Sequence, residues 1–150
     1  MPGRNGGRLP FGSVTSTHFW TVKGWADSGD ENFDYGAIVI PTELGRKVGT
    51  FGFVVESDSE LVKTTAFVSG YPADKDEGTM WIDTKKIASA GPSKVVYDID
   101  TAGGQSGAAV YAVKDGKPLA VAVHAYGGAT TNSGTRVTTP VFQNLTNWKA

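Results

Sequence analysis

Short apolar segments of strand length alternate with turn residues along most of the chain, and helical periodicity is nearly absent. The segment 64–72 is rich in β-branched and aromatic residues and ends in Gly-Tyr-Pro, which is typical of a strand that runs into a turn. A tight hairpin turn is predicted at 114–117, because its central Asp-Gly suits such turns. Strands are predicted at 64–72, 80–87, 94–97, 108–113, 119–126 and 136–138. Short strands at this regular spacing predict an all-β sandwich or barrel.

The first third of the chain has weaker strand signals. Strands are predicted there at 19–25, 37–40 and 51–55, in a glycine-rich setting. Three strands neither close a barrel nor cover both edges of a sheet, so this part is expected to belong to a larger unit. A polar connector at 56–60 follows it. We therefore predict an incomplete unit at 1–55 and a second unit at 61–150.

One helix is predicted, at the C-terminal end of the chain. Thr139 is expected to be its N-cap, with Pro140 at the first helical position, where the missing N–H costs nothing. Phe142, Leu145 and Trp148 recur at three-residue steps. We expect this stripe to pack on the body of the protein.

The composition excludes several classes of protein. The 150 residues carry 14 Lys and Arg against 15 Asp and Glu, a formal net charge of −1 that argues against nucleic-acid binding. Hydrophobic residues at 39% and charged residues at 19% are typical of a globular chain rather than a disordered one. No apolar run approaches the ~18–20 residues that span a membrane. Residues 1–8 carry positive charge without an apolar core after them, so no signal peptide is predicted there.

Cysteine is absent, which excludes disulfides, thiolate metal sites and a cysteine nucleophile. The absence of disulfides leaves the cellular compartment open. The two histidines, His18 and His124, are too few for a three-histidine site, so we predict no metal and no cofactor.

Ser106, in Gly-Gly-Gln-Ser-Gly at 103–107, is the strongest candidate for chemistry. A serine between glycines places its Oγ on a tight turn, and neighbours without side chains let a substrate carbonyl approach the backbone N–H groups. Such a turn can supply a nucleophile and an oxyanion hole together. The competing interpretation is an ordinary glycine-rich loop. Ala108 stands where the nucleophile elbow of α/β-hydrolases has its last glycine, and no helix follows, so that fold is excluded.

Several further segments, in order along the chain, strengthen the catalytic interpretation. The stretch 97–110 around Ser106 resembles the nucleophile segment of the glutamyl endopeptidases, a microbial branch of the chymotrypsin-like serine proteases. The segment 34–39 is similar to the family's motif around the triad aspartate. Other similar segments are Gly-Tyr-Pro-Ala-Asp-Lys at 70–75, Thr-Met-Trp at 79–81, Val-His-Ala-Tyr-Gly-Gly at 123–128 and Ser-Gly-Thr-Arg-Val at 133–137.

The resemblance implies a chymotrypsin-like double β-barrel of the all-β class. The segment 61–150 would be the complete C-terminal barrel with a terminal helix, and 1–55 a remnant of the N-terminal barrel. Ser106 would be the nucleophile, and Asp34 the carboxylate that orients the general base. The backbone N–H groups of Gly104 and Ser106 would form the oxyanion hole.

The resemblance also implies a pocket for the substrate side chain. A histidine at the position of His124 and a threonine at that of Thr101 help to bind glutamate in the family, because an imidazole and a hydroxyl supply donors for an anion. Asp100 favours the alternative, since an aspartate there selects Lys or Arg in trypsin-like relatives. We expect Glu or Asp specificity, because His124 and Thr101 agree with each other. The expected substrate-binding residues are Asp100, Thr101, His124, Ala125, Tyr126 and Gly127.

The resemblance identifies no residue of this chain as the general-base histidine of the catalytic triad. By the resemblance it lies roughly forty residues before the triad aspartate, which is more than precede Asp34. His18 lacks the family's context and is expected to be an exposed strand residue. We therefore expect an N-terminally shortened, nearly inert chain whose full-length form is secreted. Gln105 stands where trypsin-like zymogens have the aspartate that pairs with a new N-terminus, so that salt bridge is not expected.

Non-catalytic functions stay open from the residues alone. The alternative is a pseudoprotease, or a carbohydrate- or protein-binding β-module, which four Trp and five Tyr would suit. The placement of Asp34 relative to Ser106 discriminates, because a protease places them across one cleft and a lectin-like sandwich has no reason to. We expect the protein to be a monomer, and we expect its partner to be a peptide or protein substrate. The exposed edge of the N-terminal barrel is a candidate surface for a further partner.

Overall fold

The structure of the chain, a computed structural model, describes residues 1–40 and 43–149. Positions 41, 42 and 150 of the predicted domain ranges lie outside the described residues. The strands are β1 (His18–Thr21), β2 (Gly36–Val39), β3 (Gly52–Phe53), β4 (Thr65–Gly70), β5 (Trp81–Ala90), β6 (Lys94–Tyr97), β7 (Ala109–Lys114), β8 (Lys117–Gly127) and β9 (Asn132–Arg136). The helices are α1 (Lys23–Ser28), α2 (Gly45–Val48), α3 (Asp58–Leu61) and α4 (Thr139–Trp148), with a 3-10 turn at Glu31–Phe33.

Six antiparallel strands, β4 to β9, close into a barrel. The order in the seven-stranded sheet is β3-β8-β7-β4-β5-β6-β9, and an additional pairing of β8 with β9 closes the ring. The short strand β3 lies outside the ring and pairs with β8 in parallel. The predicted C-terminal barrel is confirmed.

Alternation along the strands builds the core of the barrel. In β4, β6 and β7 buried residues recur at every second position, so one face of each strand points inward. Burial of each larger apolar side chain contributes about 1.5–3 kcal/mol. The buried core consists of Leu61, Ala66, Val68, Ile87, Val95, Tyr97, Ile99, Val110, Val121 and Ala122.

The hairpin of β7 and β8 has the turn that its sequence predicts. Asp115 has a φ of 50° and Gly116 a φ of 72°, and two positive φ values in a two-residue loop are typical of a type I′ turn. This turn matches the twist of the two long strands. The hairpin matters for the site, because β8 carries His124.

The N-terminal part forms a separate two-stranded sheet. Strands β1 and β2 are antiparallel, with Trp20 opposite Ala37. The predicted strand 19–25 is wrong beyond Thr21, because α1 follows directly and is ended by Gly29 in the left-handed region, with a φ of 62°. The predicted strand 51–55 contains only the short β3, which pairs with the barrel rather than with β1 or β2.

The polar connector at 56–60 contains the start of α3. The Ser57 side chain accepts a hydrogen bond from the Glu60 N–H and caps this helix. Arg136 of β9 ties the connector to the barrel, because its guanidinium donates to the Asp58 carboxylate (2.6 Å) and to the Glu56 carbonyl (2.7 Å). The domain boundaries themselves stay a prediction.

Helix α4 joins the N-terminal part to the barrel. Its N-cap is Thr138, whose side chain accepts from the Val141 N–H, so the prediction of Thr139 is wrong by one residue. The strand predicted at 136–138 is also displaced, since β9 ends at Arg136.

The packing of α4 explains its role. Trp148 stacks on Trp20 with ring centroids 6.5 Å apart and is tilted against Tyr35 at 5.9 Å. Phe142, part of the predicted stripe, instead contacts Phe53 at 5.0 Å. Among the helices of the described residues, none is long and apolar enough to cross a membrane.

Candidate active site

The turn that carries Ser106 depends on two glycines with positive φ. Gly104 has a φ of 95° and Gly107 a φ of 87°, a region that side chains other than glycine rarely adopt. A Cβ on Gly104 would lie 2.8 Å from the Tyr71 carbonyl oxygen. Between these glycines Ser106 is exposed, as a nucleophile must be.

Hydrogen bonds hold both sides of this turn. The Ala73 N–H donates to the Gly103 carbonyl (2.7 Å). On the other side the Gly107 N–H donates to the His124 carbonyl (2.8 Å), and the His124 N–H donates to the Ala108 carbonyl (2.9 Å). The turn is therefore anchored on the β4–β5 loop and on β8.

Gln105 braces the turn from inside. Its side chain is buried, and its Oε1 accepts from the Ala102 N–H at 2.7 Å. The side chain packs against Gly70, where a Cβ would lie 3.1 Å from Gln105 Cγ. Trypsin-like zymogens have an aspartate at this position, which pairs with a new N-terminus. The neutral amide of Gln105 cannot form that salt bridge.

The two amides predicted for the oxyanion hole are free. Within the described residues neither the Gly104 N–H nor the Ser106 N–H donates a hydrogen bond to a backbone or side-chain acceptor. Free N–H groups on either side of a tight turn are the donors that a developing oxyanion requires.

Asp34 lies at the end of the 3-10 turn, one residue before the buried Tyr35. The Thr135 hydroxyl donates to the Asp34 carbonyl at 2.8 Å, which attaches this segment to β9. The Asp34 carboxylate lies near Tyr126: partial burial raises the pKa of that phenol, and the hydrogen bond and negative charge of Asp34 raise it further.

Asp34 and Ser106 line the same cleft. The cleft has a volume of about 660 Å³ and lies between the β1–β2 sheet and β8. Its lining consists of Phe19, Trp20, Thr21, Trp25, Asp34, Tyr35, Gly36, Ala37, Ile38, Ser106, Gly107, Val123, His124 and Ala125. The arrangement places Asp34 and Ser106 along one open space, and the free N–H of Ser106 belongs to a residue of its lining.

His124 lines this cleft but is buried, at 4% exposure. Its Nδ1 is 2.7 Å from the hydroxyl of Tyr97, which is buried completely. Burial lowers the pKa of His124 below its ordinary value of 6.5. His18 is exposed on β1, lies 3.3 Å from the Thr17 hydroxyl through its Nδ1, and is not part of the cleft.

The remaining predicted substrate-binding residues are not all gathered with Ser106. Thr101 and Asp100 line a separate hollow of about 60 Å³, on the side of Gln105. The Asp100 N–H donates to the Asp83 carboxylate at 2.7 Å. Ala125 lines the main cleft, whereas the Tyr126 ring lies under Lys94 Nζ at 3.8 Å and Gly127 pairs with Asn132.

No family model matches the chain. It is 46% identical over 148 residues to an extracellular metalloprotease of Bacillus subtilis, an alignment that covers 98% of this chain and 47% of that protein. It is 46% identical over 156 residues to a glutamyl endopeptidase of Bacillus licheniformis, covering 99% of this chain and 49% of that protein. The chain belongs to the glutamyl endopeptidase branch of the chymotrypsin-like serine proteases. It spans about half the length of these curated relatives.

A solved structure supports the family at the level of the fold. The chain superposes on a Glu endopeptidase in complex with MPD with a TM-score of 0.86 and 28% sequence identity. The match covers 99% of this chain and 69% of that one. The predicted chymotrypsin-like fold is therefore confirmed.

The name of the Bacillus subtilis relative implies a metal ion. Residues 1–40 and 43–149 of this chain contain no group of three or more His, Cys, Asp or Glu side chains placed to hold one. The side chains of those residues therefore form no set that fits a metal ion.

Two features of this cleft were missed at the level of sequence. The aromatic wall of the cleft, with Trp20 and Trp25, lies in a segment that was predicted to be a continuous strand. Tyr97 ends the predicted strand 94–97, and its hydroxyl contact with His124 joins residues 27 positions apart. Strand periodicity marks Tyr97 as inward-facing but carries no information about its polar partner.

Proposed function

We propose that the cleft is the active site of a serine endopeptidase that cleaves after Glu or Asp. Ser106 is the nucleophile, Asp34 orients an imidazole base, and the amides of Gly104 and Ser106 bind the oxyanion. The observation that carries the proposal is the cleft that Asp34 and Ser106 share. Within the described residues, the N–H groups of Ser106 and of Gly104 in the same turn are free. This arrangement also favours a protease over a carbohydrate-binding module.

The proposed reaction is acyl transfer. The Ser106 Oγ attacks the scissile carbonyl carbon while the imidazole takes the hydroxyl proton, and the oxyanion is held by the Gly104 and Ser106 N–H groups. The imidazolium then protonates the leaving amine, the C–N bond breaks, and an acyl-Ser106 ester remains. Water, deprotonated by the same imidazole, attacks the ester carbonyl carbon. The bond from that carbon to Ser106 Oγ breaks, the imidazolium returns its proton to Oγ, and the acid product leaves.

Recognition of Glu or Asp is proposed to centre on His124, since it borders the space next to Ser106. Thr101 lies in the neighbouring hollow, so its contribution would require the substrate side chain to reach past Ser106 toward Gln105. Asp100 shares that hollow, and an exposed carboxylate there supports the competing preference for Lys or Arg. Substrate comparison decides between them.

The chain as it stands is proposed to be nearly inert. Neither of its histidines stands free between Asp34 and Ser106, because His18 lies elsewhere and His124 is bonded to Tyr97. A serine without a base keeps only the oxyanion hole and substrate binding, which give about 10³–10⁴ over the water reaction. Secretion and a monomeric state are part of the same proposal.

Chemical rescue tests this function. Added imidazole should enter the cleft and act as the base, so hydrolysis of a chromogenic glutamyl anilide should rise with imidazole concentration. A matched lysyl anilide should be hydrolysed at about one tenth of the rate of the glutamyl anilide, or more slowly. Ser106→Ala should abolish the imidazole-dependent rate, and Asp34→Asn should lower it.

Each result of this assay decides one part of the proposal. Imidazole-dependent hydrolysis that survives Ser106→Ala would contradict the assignment of the nucleophile. Faster hydrolysis of the lysyl substrate would show a preference for Lys, and Asp100 rather than His124 would then determine specificity. Full activity without imidazole would contradict the proposed inertness.

A further inference from the structure

A buried polar contact lies behind the cleft. The Tyr97 hydroxyl and His124 Nδ1 are 2.7 Å apart, and their rings are tilted with centroids 5.9 Å apart. Tyr97 is fully buried in the barrel core and His124 nearly so. In such surroundings a polar group without a partner is costly, so the direction of this hydrogen bond is well determined.

The partners of the tyrosine determine that direction. Among the described residues, Nδ1 of His124 is the one acceptor within reach of the Tyr97 hydroxyl. If Nδ1 carried the proton, it would donate to the tyrosine oxygen, and the buried O–H would have no acceptor. The cost of the unpaired O–H lowers the population of the tautomer with a proton on Nδ1 by roughly tenfold or more. The Tyr97 hydroxyl therefore donates to an unprotonated Nδ1.

The acid–base properties of both groups agree with this direction. Burial raises the pKa of Tyr97, so its hydroxyl keeps the proton that it donates. Burial lowers the pKa of His124, so its ring is neutral above pH 6.5 and carries a single N–H.

The single N–H of His124 then lies on Nε2, at the side of the ring away from Tyr97. Within the described part of the chain Nε2 has no hydrogen-bond partner, yet no buried side-chain nitrogen or oxygen there lacks one. Nε2 is therefore reached by solvent, and the space that His124 lines is the cleft beside Ser106.

We propose that Tyr97 is a positioning residue that holds His124 in the Nε2–H tautomer, so that the cleft presents one fixed donor to the side-chain carboxylate of a substrate. This inference deepens the proposed function and rests on it for the nature of the ligand. Tyr97 itself does not touch the substrate and acts through the imidazole.

Nitrogen NMR of the full chain tests the tautomer directly. In long-range ¹H–¹⁵N spectra at mildly alkaline pH, His124 should show an unprotonated Nδ1 and a protonated Nε2. The exposed His18 serves as the internal reference for a ring that exchanges between tautomers. Tyr97→Phe removes only the hydroxyl and should move the His124 shifts toward those of His18.

Tyr111→Phe is the matched control, because that hydroxyl contacts Ser69 at 3.4 Å and does not line the cleft. It should leave the His124 shifts unchanged. A protonated Nδ1 in the wild type, or His124 shifts that are unchanged in Tyr97→Phe, would overturn the proposal.

Calorimetry with two peptides separates this proposal from the proposed function. The probes are acetyl-Ala-Ala-Glu-amide and acetyl-Ala-Ala-Ala-amide, so that the side chain supplies the one carboxylate. Tyr97→Phe should lower the affinity for the glutamyl peptide about two- to tenfold, because only the Nε2–H tautomer of His124 binds its carboxylate. The affinity for the alanyl peptide should not change.

If the wild type binds both peptides equally while the NMR result holds, the glutamate preference is wrong and the positioning role of Tyr97 stands. If the wild type prefers glutamate and Tyr97→Phe keeps the full preference, the positioning role is overturned.

Discussion

At the scale of single residues, the turn that carries Ser106 depends on the backbone of Gly104. Gly104→Ala combines a φ of 95° with a Cβ 2.8 Å from a carbonyl oxygen, so it should lower the free energy of unfolding by about 1–3 kcal/mol. Gly103→Ala is the control, since nothing lies within 4 Å of its added Cβ. Urea unfolding compares the two variants, and equal midpoints would contradict this description of the turn.

The buried imidazole of His124 should make stability depend on pH. Burial lowers its pKa below 6.5, so between the folded-state pKa and 6.5 the unfolded chain binds more protons than the folded one. The free energy of unfolding is therefore highest above pH 6.5 and falls as the pH falls through that window.

Urea titrations over a pH series measure this dependence. His124→Gln should remove the contribution of this group, whereas His18→Gln, at an exposed position, should not. Equal pH dependence in the wild type and His124→Gln would show that this histidine is not the titrating group.

The sequence indicates which residues belong to the candidate site, but it does not indicate the direction of their side chains. The resemblance to the glutamyl endopeptidases implies that Ser106 and Asp34 work together, and both line one cleft. The same reasoning groups Thr101 with His124, yet they line different spaces on either side of the Ser106 turn. Their directions depend on the bracing of Gln105 and on the Tyr97 contact, which are set by tertiary packing.

At the scale of elements, the start of α4 is a sharp test of capping. Thr138→Ala should lower the free energy of unfolding by about 0.5–1 kcal/mol, because its hydroxyl accepts from the Val141 N–H. Thr139→Ala, one residue later, should change it little. Thermal unfolding of both variants checks this, and the reverse order of stability would restore Thr139 as the cap.

Long periodic elements were predictable, and short ones were not. The hairpin of β7 and β8 follows from its alternation and from the Asp-Gly turn. Helices α1, α2 and α3 have six, four and four residues, which is too short for a 3.6-residue period to appear. Strand β1 ends at Thr21 because α1 begins at Lys23, although the aromatic residues of this segment favour a strand.

At the scale of the whole molecule, α4 holds the part that carries Asp34 against the barrel. Trp148 contacts Trp20 and Tyr35, and the Asn144 amide donates to the Tyr35 hydroxyl at 2.8 Å. Trp148→Ala should therefore cost about 2–4 kcal/mol of stability and should also lower imidazole-dependent hydrolysis.

Phe142→Ala is the control for this prediction, because Phe142 contacts Phe53 of β3 rather than the β1–β2 sheet. It should reduce stability with a smaller effect on hydrolysis. A Trp148→Ala variant with unchanged hydrolysis would contradict the role of α4 in positioning Asp34.

Covalent labelling of Ser106 tests most directly whether this hydroxyl faces a cleft with room for a base. The full chain is incubated with an active-site organophosphate, with and without imidazole, and the modified residue is located by mass spectrometry. We predict slow labelling without imidazole, faster labelling with it, and modification at Ser106 alone. Modification at other serines, or no labelling under either condition, would contradict the assignment of the nucleophile.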